Sequence, residues 1–196
     1  MIGYNDDLQS QINQLTEILG LNKVLYNVIE KAVETGLSNY YIGAGCITQT
    51  VWNYQMGLDL INGISDIDFV YYDDSDLSFE AENAVIERIT SIMERCPIKL
   101  DIKNQARVHL WYKERFGYDI KPYKSVEEAI NTWPATATSV GVRLEKDRLK
   151  VYAPFGLNDL FGMIVRANKS QITEKIYIDK VDKWSKKWSA LTIIPW

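Results

Sequence analysis

The apolar positions of this chain fall into short periodic segments separated by turn residues. Leu8, Ile12, Leu15 and Leu19 recur at helical spacing behind Asp6 and Asp7, either of which can act as the cap, and Gly20 is expected to close the helix. Asn22 then reads as the N-cap of a second helix carrying Leu25, Val28, Ile29, Ala32 and Val33, stopped by Gly36. Tyr40-Tyr41-Ile42 is a short apolar strand that runs into Gly43-Ala44-Gly45-Cys46. Residues 47–56 predict a helix ended near Gly57, 58–64 an extended loop, and 66–72 a second strand. Ala81, Val85, Ile89, Ile92 and Cys96 predict a further helix, with Asp74-Ser75-Asp76 as its N-cap cluster and Pro97 as its stop. From 98 to 103 the pattern alternates: Ile98, Leu100 and Ile102 on one face, Lys99, Asp101 and Lys103 on the other.

The second half reads less regularly. A helix with Leu110, Trp111 and Phe116 ends at Gly117, and Ser125 with Glu128 forms a capping box for a helix over 126–133. Residues 140–143 and 149–152 predict a β-hairpin around Lys146-Asp147. Pro154 to Asp159 opens another helix, with Asn158 or Asp159 as its cap, and 169–175 is a polar loop. The last helix carries Tyr177, Val181, Trp184 and Trp188 on one stripe, with Lys180, Lys183 and Lys187 expected on its solvated side. An apolar tail follows over 191–196. With 196 residues and a 46% apolar fraction, the expectation is a single α/β domain: a mixed sheet flanked by helices, extended by a C-terminal hairpin and helices.

The chemistry concentrates between Gly43 and Asp73. Strand side chains alternate faces, so Asp66 and Asp68 share one face, roughly 7 Å apart along the strand. Ile67, Phe69 and Tyr71 point into a core. Neighbouring carboxylates repel each other unless a cation lies between them. Mg²⁺, or Mn²⁺, takes such hard oxygen ligands and keeps positions open for substrate phosphates. The Gly43-Ala44-Gly45 turn, followed by a helix N-terminus, offers backbone N–H groups to a triphosphate. Gln49, Thr50 and Asn53 face either a phosphate or sugar, or solvent and a cap. Asp101 is a strand acid on a polar face, and Arg107 carries a guanidinium fork suited to phosphate oxygens. His109, the only histidine, is read as a hydrogen-bonded structural residue ahead of a catalytic one.

These residues resemble the core of the nucleotidyltransferase superfamily that includes DNA polymerase beta and the head domain of CCA-adding enzymes and bacterial poly(A) polymerases. The likeness lies in Gly43, Gly45, Gln49, Thr50, Val51, Trp52, Asn53 and Asp66-Ile67-Asp68, over about residues 24–104. With Asn104-Gln105-Ala106-Arg107-Val108-His109 and Pro154-Phe155-Gly156-Leu157, the chain is similar over most of its length to a family of bacterial nucleotidyltransferase-like proteins. The resemblance implies metal-dependent transfer of a nucleoside monophosphate from an NTP to a hydroxyl acceptor. It makes Asp66, Asp68 and Asp101 the catalytic and metal-holding acids, and Gly43, Ala44, Gly45, Gln49 and Arg107 the nucleotide-binding residues. The other outcome it leaves open is a nucleotide- or metal-binding module without turnover. The chain departs from the superfamily pattern in two places. Gly45 and Asp66 stand 21 positions apart, a longer interval than usual, and Thr48-Gln49 occupies the region where CCA-adding enzymes carry Arg-Asp.

Charge narrows the partner. A formal net charge of −4 argues against an extended nucleic-acid-gripping face. The acceptor class stays open between small molecule, RNA and protein. Two cysteines make no disulfide framework, and no segment reads as a leader or a membrane span. A cytoplasmic location is the expectation.

Overall fold

The computed structural model describes all residues, Met1 to Trp196. Its centre is a five-stranded sheet in the order β3-β2-β1-β4-β5. The strands are β1 (Tyr40–Gly43), β2 (Asp66–Tyr71), β3 (Lys99–Asn104), β4 (Gly141–Glu145) and β5 (Arg148–Tyr152). β2 and β3 run parallel; every other neighbouring pair is antiparallel. The β4–β5 hairpin turns through Lys146 and Asp147, both at positive φ, 51° and 60°. That is the backbone a tight two-residue hairpin turn demands.

One face of the sheet is packed by α1 (Leu8–Leu21), α2 (Lys23–Lys31), α3 (Gly45–Met56) and α4 (Phe79–Ile92). Ile42, Ile67, Phe69, Tyr71 and Ile102 point into this layer and join one core cluster with Leu15, Val28, Val51 and Ile89. The opposite face is covered near its middle by α6 (Val126–Ile130), whose Val126 and Ile130 pack on Tyr41 and Val70. α5 (Val108–Phe116) packs beside it, through Val108, Tyr112 and Ala129. Asp66, Asp68 and Asp101 lie on this second face. α7 (Asn158–Phe161) and α8 (Glu174–Ser185) complete the chain, together with a small parallel pair, β6 (Ile164–Val165) and β7 (Thr192–Ile193).

Several boundaries differ from the sequence expectation. Gly20 lies inside α1, which runs to Leu21 and ends at Asn22, whose side chain caps α2 through Leu25 N–H. The cap of α4 is Ser78, not the 74–76 cluster; Asp73 and Asp76 instead close local turns onto Ser75 N–H and Ser78 N–H. α4 stops at Ile92, before Cys96. α6 ends at Ile130, α7 has no side-chain cap, and α8 stops at Ser185, before Trp188. The apolar tail pairs as β7, contacts that no local pattern encodes. No helix is long and apolar enough to cross a membrane.

The long glycine-to-aspartate interval is a pinned loop. α3 ends at Gly57 in the left-handed conformation, and the chain then crosses residues 58–65. Asn53 Nδ2 donates to the carbonyls of Leu60 and Asn62 at 3.2 and 2.8 Å, and Asn22 Nδ2 donates to Leu60 as well. Asn53 Oδ1 accepts from the indole N–H of Trp188 at 2.7 Å. Thr50 Oγ1 is held by Asn22 and by the carbonyl of Cys46. Asn53 and Thr50 are thus buried structural groups rather than reaching side chains. Trp52 is fully buried and donates to the carbonyl of Leu160.

Candidate active site

The register of the sheet brings the acids together. In β2 and β3, Asp68 pairs with Asp101 and Asp66 with Lys99. Residues paired across neighbouring strands share a face, so Asp66, Asp68 and Asp101 stand on one side of the sheet. On the other edge of β2, Asp68 pairs with Gly43. The carboxylate pair, its in-register partner and the glycine turn therefore meet at one point, the N-terminal end of β2. Asp68 is the recessed member. Burial pushes its carboxyl up to about 7, with the charges of Asp101 and Asp66 adding and those of Lys103 and Lys180 opposing. Asp66 accepts from Ser65 Oγ at 2.7 Å. Asp101 is in an ion pair with Lys103, two residues along the same face of β3.

The turn is built to be narrow. A Cβ on Gly43 would stand 2.6 Å from the carbonyl oxygen of Val140 and 2.8 Å from the Trp133 ring; one on Gly45 would meet Gln49 Nε2 at 2.8 Å. Gly43 is thus required by its neighbours, a backbone carbonyl and a packed ring, whereas the amide beside Gly45 ends a flexible side chain that can shift. Ala44 between them has φ 59° and ψ −133°, a region open to glycine and strained for any other residue. Its N–H is spent on Val140 and its carbonyl on Thr48 N–H. No side chain caps the N-terminus of α3, so the first-turn N–H groups keep their capacity for an anion. Cys46 is buried behind the turn, its thiol donating to the Gly43 carbonyl.

The strain at Ala44 is testable. Ala44→Gly is expected to stabilise the folded chain by about 1 kcal/mol, relief of backbone strain exceeding the added freedom of the unfolded chain. That is a rise in Tm of roughly 2–4 °C for a chain of this size. An unchanged or lower Tm in a thermal melt would show that Ala44 sits there without strain.

Gln49 stays at the turn. Its amide folds over Gly45, and its buried Oε1 accepts no hydrogen bond. Buried polar atoms are nearly always paired in native proteins, and Gln49 Oε1 is one of five here without a partner, with atoms of Gln14, Gln55, Tyr71 and His109. Arg107, expected at a triphosphate, is placed elsewhere. It follows β3 at the end of the parallel pair where Tyr71 meets Asn104, roughly 16 Å along the sheet from Asp66. There it is ion-paired with Glu82 and donates to the carbonyl of Leu77 at 2.9 Å. Its partners lock the start of α4 to the turn after β3. His109 is half-buried, with Nδ1 unpaired, on α5.

Two groups at the site escaped the sequence reading. The Trp133 ring lies over Gly43. Lys180, expected on the solvated side of α8, is half-buried instead and its charge acts on Asp68 and Asp66. Its spacing carried the signal: Lys180 is three residues after Tyr177 and four before Trp184, which puts it on the packed stripe.

A divalent cation can be tested against these donors. Three carboxylates on one face, one of them raised first by burial and then by its acidic neighbours, are the kind of hard oxygen donors that Mg²⁺ or Mn²⁺ takes. As folded, no three acidic, histidine or cysteine side chains are drawn together closely enough to hold an ion, and Asp101 is engaged by Lys103. The chemistry of the carboxylate oxygens suits such an ion; their spacing as folded does not yet enclose one.

With this geometry in view, the comparisons are specific. A family model described as nucleotidyltransferase matches residues 30–193. Among solved structures, an NMR structure described as revealing a CCA-adding enzyme head domain superposes with a TM-score of 0.75. It covers 92% of this chain and 96% of its own, at 22% sequence identity, a likeness of fold. No curated protein sequence matches the chain. The sheet, the glycine turn and the paired aspartates lie inside the matched span, and the chain belongs to this nucleotidyltransferase family.

Proposed function

We propose that the chain is a metal-dependent nucleotidyltransferase that moves a nucleoside monophosphate from an NTP to a hydroxyl acceptor. The observation that carries this reading is the junction at Asp68. It sits between Asp66 on its own strand, Asp101 in register on β3, and Gly43 in register on β1. Asp66 and Asp68 would hold Mg²⁺ or Mn²⁺, with Asp101 joining them. The cation, when bound, would neutralise phosphate charge and orient the phosphoryl oxygens.

The chain's own groups supply the rest. The uncapped first turn of α3 faces the nucleotide's phosphates with backbone N–H groups. Gln49 offers its unpaired amide oxygen to a ligand hydroxyl. In the reaction the acceptor oxygen bonds to the α-phosphorus, the bond from that phosphorus to the bridging oxygen breaks, and pyrophosphate leaves with its electron pair. The acceptor hydroxyl would pass its proton to the Asp101 carboxylate in the same step, and Asp101, freed from Lys103, would also align that hydroxyl. Such transfers depend mainly on positioning and charge stabilisation, which suits a site of fixed strand-end acids.

The Asp101–Lys103 ion pair favours one second reading, a nucleotide-binding module without turnover, in which Lys103 keeps the third acid from acting. Thermal shift separates these outcomes when paired with a transfer assay. A bound NTP–metal complex stabilises the fold by RT ln(1 + [L]/Kd), about 2.7 kcal/mol at a hundredfold excess over Kd. The rise in Tm should vanish with EDTA. Equal stabilisation with and without a divalent cation would reduce the site to a simple anion pocket at the glycine turn. Metal-dependent binding without transfer to any acceptor would leave the binding module.

A further inference from the structure

The end of the sheet away from the acids carries a hollow of about 260 Å³. Tyr40 lines it and pairs with Tyr71, whereas Gly43, at the other end of β1, pairs with Asp68. The two ends of β1 are roughly 10 Å apart, so a molecule held beside Tyr40 does not reach the acids. Val33 and Leu37, between α2 and β1, and Leu144 of β4 form apolar walls. Val33 is 57% exposed. A concave apolar surface gains by covering itself.

Two polar groups on the same hollow have unspent donors. Tyr40 is only 4% exposed, its ring stacked on Phe69 with centroids 5.4 Å apart. A buried tyrosine hydroxyl usually finds a partner. This one has none on the protein, yet it is not sealed in; it opens on the hollow. Burial raises it, and the charge of Arg143 opposes that rise. Arg143 is itself 13% exposed and lies over the Tyr41 ring, 4.9 Å from its centroid. A guanidinium has five N–H donors. Nη1 donates to the carbonyl of Ser38 at 3.2 Å, and Nη2 reaches Glu145 at 3.5 Å, the outer limit of a hydrogen bond. The remaining donors have no acceptor on the protein. Glu145 is also faced by Lys150 at 3.5 Å, so it keeps a cation when Arg143 turns to another anion.

We propose that this hollow binds a small carboxylate with an apolar body, its oxygens on the Arg143 guanidinium and the Tyr40 hydroxyl and its body against Val33, Leu37 and Leu144. The volume lies just below that of sites for drug-sized ligands, which suits a body of roughly four to six carbons. The site is separate from the acids of β2 and does not depend on what they do.

The test titrates the wild-type chain with isovalerate, watched by NMR, beside isoamyl alcohol, which has the body without the carboxylate, and acetate, which has the carboxylate without the body. Isovalerate should bind with a Kd on the order of 1 mM, as befits so few atoms, and both controls at least about 10-fold more weakly. Arg143→Gln should weaken isovalerate by roughly 10- to 100-fold, the worth of a charge-assisted contact, and Tyr40→Phe, which keeps the stacked ring, by roughly 2- to 10-fold. Should Arg143→Gln not fold, Tyr40→Phe and the wild-type chain answer: the isovalerate methyls must show nuclear Overhauser contacts to Val33, Leu37 and Leu144. Mg²⁺–ATP should leave the isovalerate affinity unchanged. No binding of isovalerate up to about 20 mM, equal binding of isoamyl alcohol, absence of those contacts, indifference to both substitutions, or displacement by Mg²⁺–ATP each overturns the proposal. The peptide Gly-Gly-Leu ends in the same chemistry; its binding more tightly than isovalerate would overturn the small-molecule assignment in favour of a protein chain end.

Discussion

Asp66→Asn and Asp68→Asn are each expected to lower nucleotide transfer by about 10³-fold or more, the scale of removing a principal electrostatic stabiliser from a phosphoryl-transfer site. The two acids stand on one face of β2, and a cation held between them depends on both. The double variant should therefore be little worse than the worse single one, since groups that act as a unit are strongly non-additive. Asp101→Asn should behave differently. Asp101 is paired with Lys103 in the resting fold, so binding of NTP and metal should survive its loss. Alignment of the attacking hydroxyl should not, and a reduction of about 10- to 100-fold in turnover is expected. Transfer of labelled nucleotide is the assay, with circular dichroism to confirm folding. Full activity in either β2 variant would sink the metal-site reading; full activity in Asp101→Asn would demote the third acid alone.

Much of this site was legible in the sequence because strands and turns have short-range grammar. The two-residue period placed Asp66 and Asp68 together on one face and Asp101 on the polar face of its strand, and the parallel register then aligned Asp68 with Asp101. The glycine turn was legible as a turn, but not the reason for its glycines. Trp133 and Val140, which fill the space over Gly43, come from about a hundred residues along the chain. Arg107 shows the limit of reasoning from residue type. A guanidinium that follows strand acids suggests a phosphate partner, yet a strand has two ends, and Arg107 follows the end away from Asp66, where it pairs with Glu82. Lys180 shows a different failure. Its charge argued for solvent while its spacing argued for the packed stripe, and here spacing decided. The small β6–β7 pair has no local signature, because two-residue strands exist only through the partner that tertiary packing brings.

The resting site should also be measurable as a destabilising element. Asp68 has an ordinary carboxyl value of 3.8 that the fold raises to about 7, first by burial and then by repulsion from Asp101 and Asp66. Below pH 4 or so the group is protonated in folded and unfolded chains alike and contributes nothing. Between the two values the unfolded chain has released the proton and the folded chain still binds it, so stability falls as pH rises. Above about pH 7 both forms are ionised and the full cost is present. At 1.36 kcal/mol per pH unit the ceiling is roughly 4 kcal/mol. In EDTA, Asp68→Asn should therefore be more stable than wild type at about pH 8, by on the order of 2 kcal/mol, and the gain should shrink toward zero near pH 4. Adding Mg²⁺ at about pH 8 should stabilise wild type and leave Asp68→Asn nearly unmoved, because the cation relieves a repulsion that the variant no longer has. Urea unfolding at the two pH values, with and without the cation, supplies all four comparisons. An Asp68→Asn protein less stable than wild type at pH 8 in EDTA would mean that Asp68 is held by favourable contacts, and that the acids are structural in the resting fold.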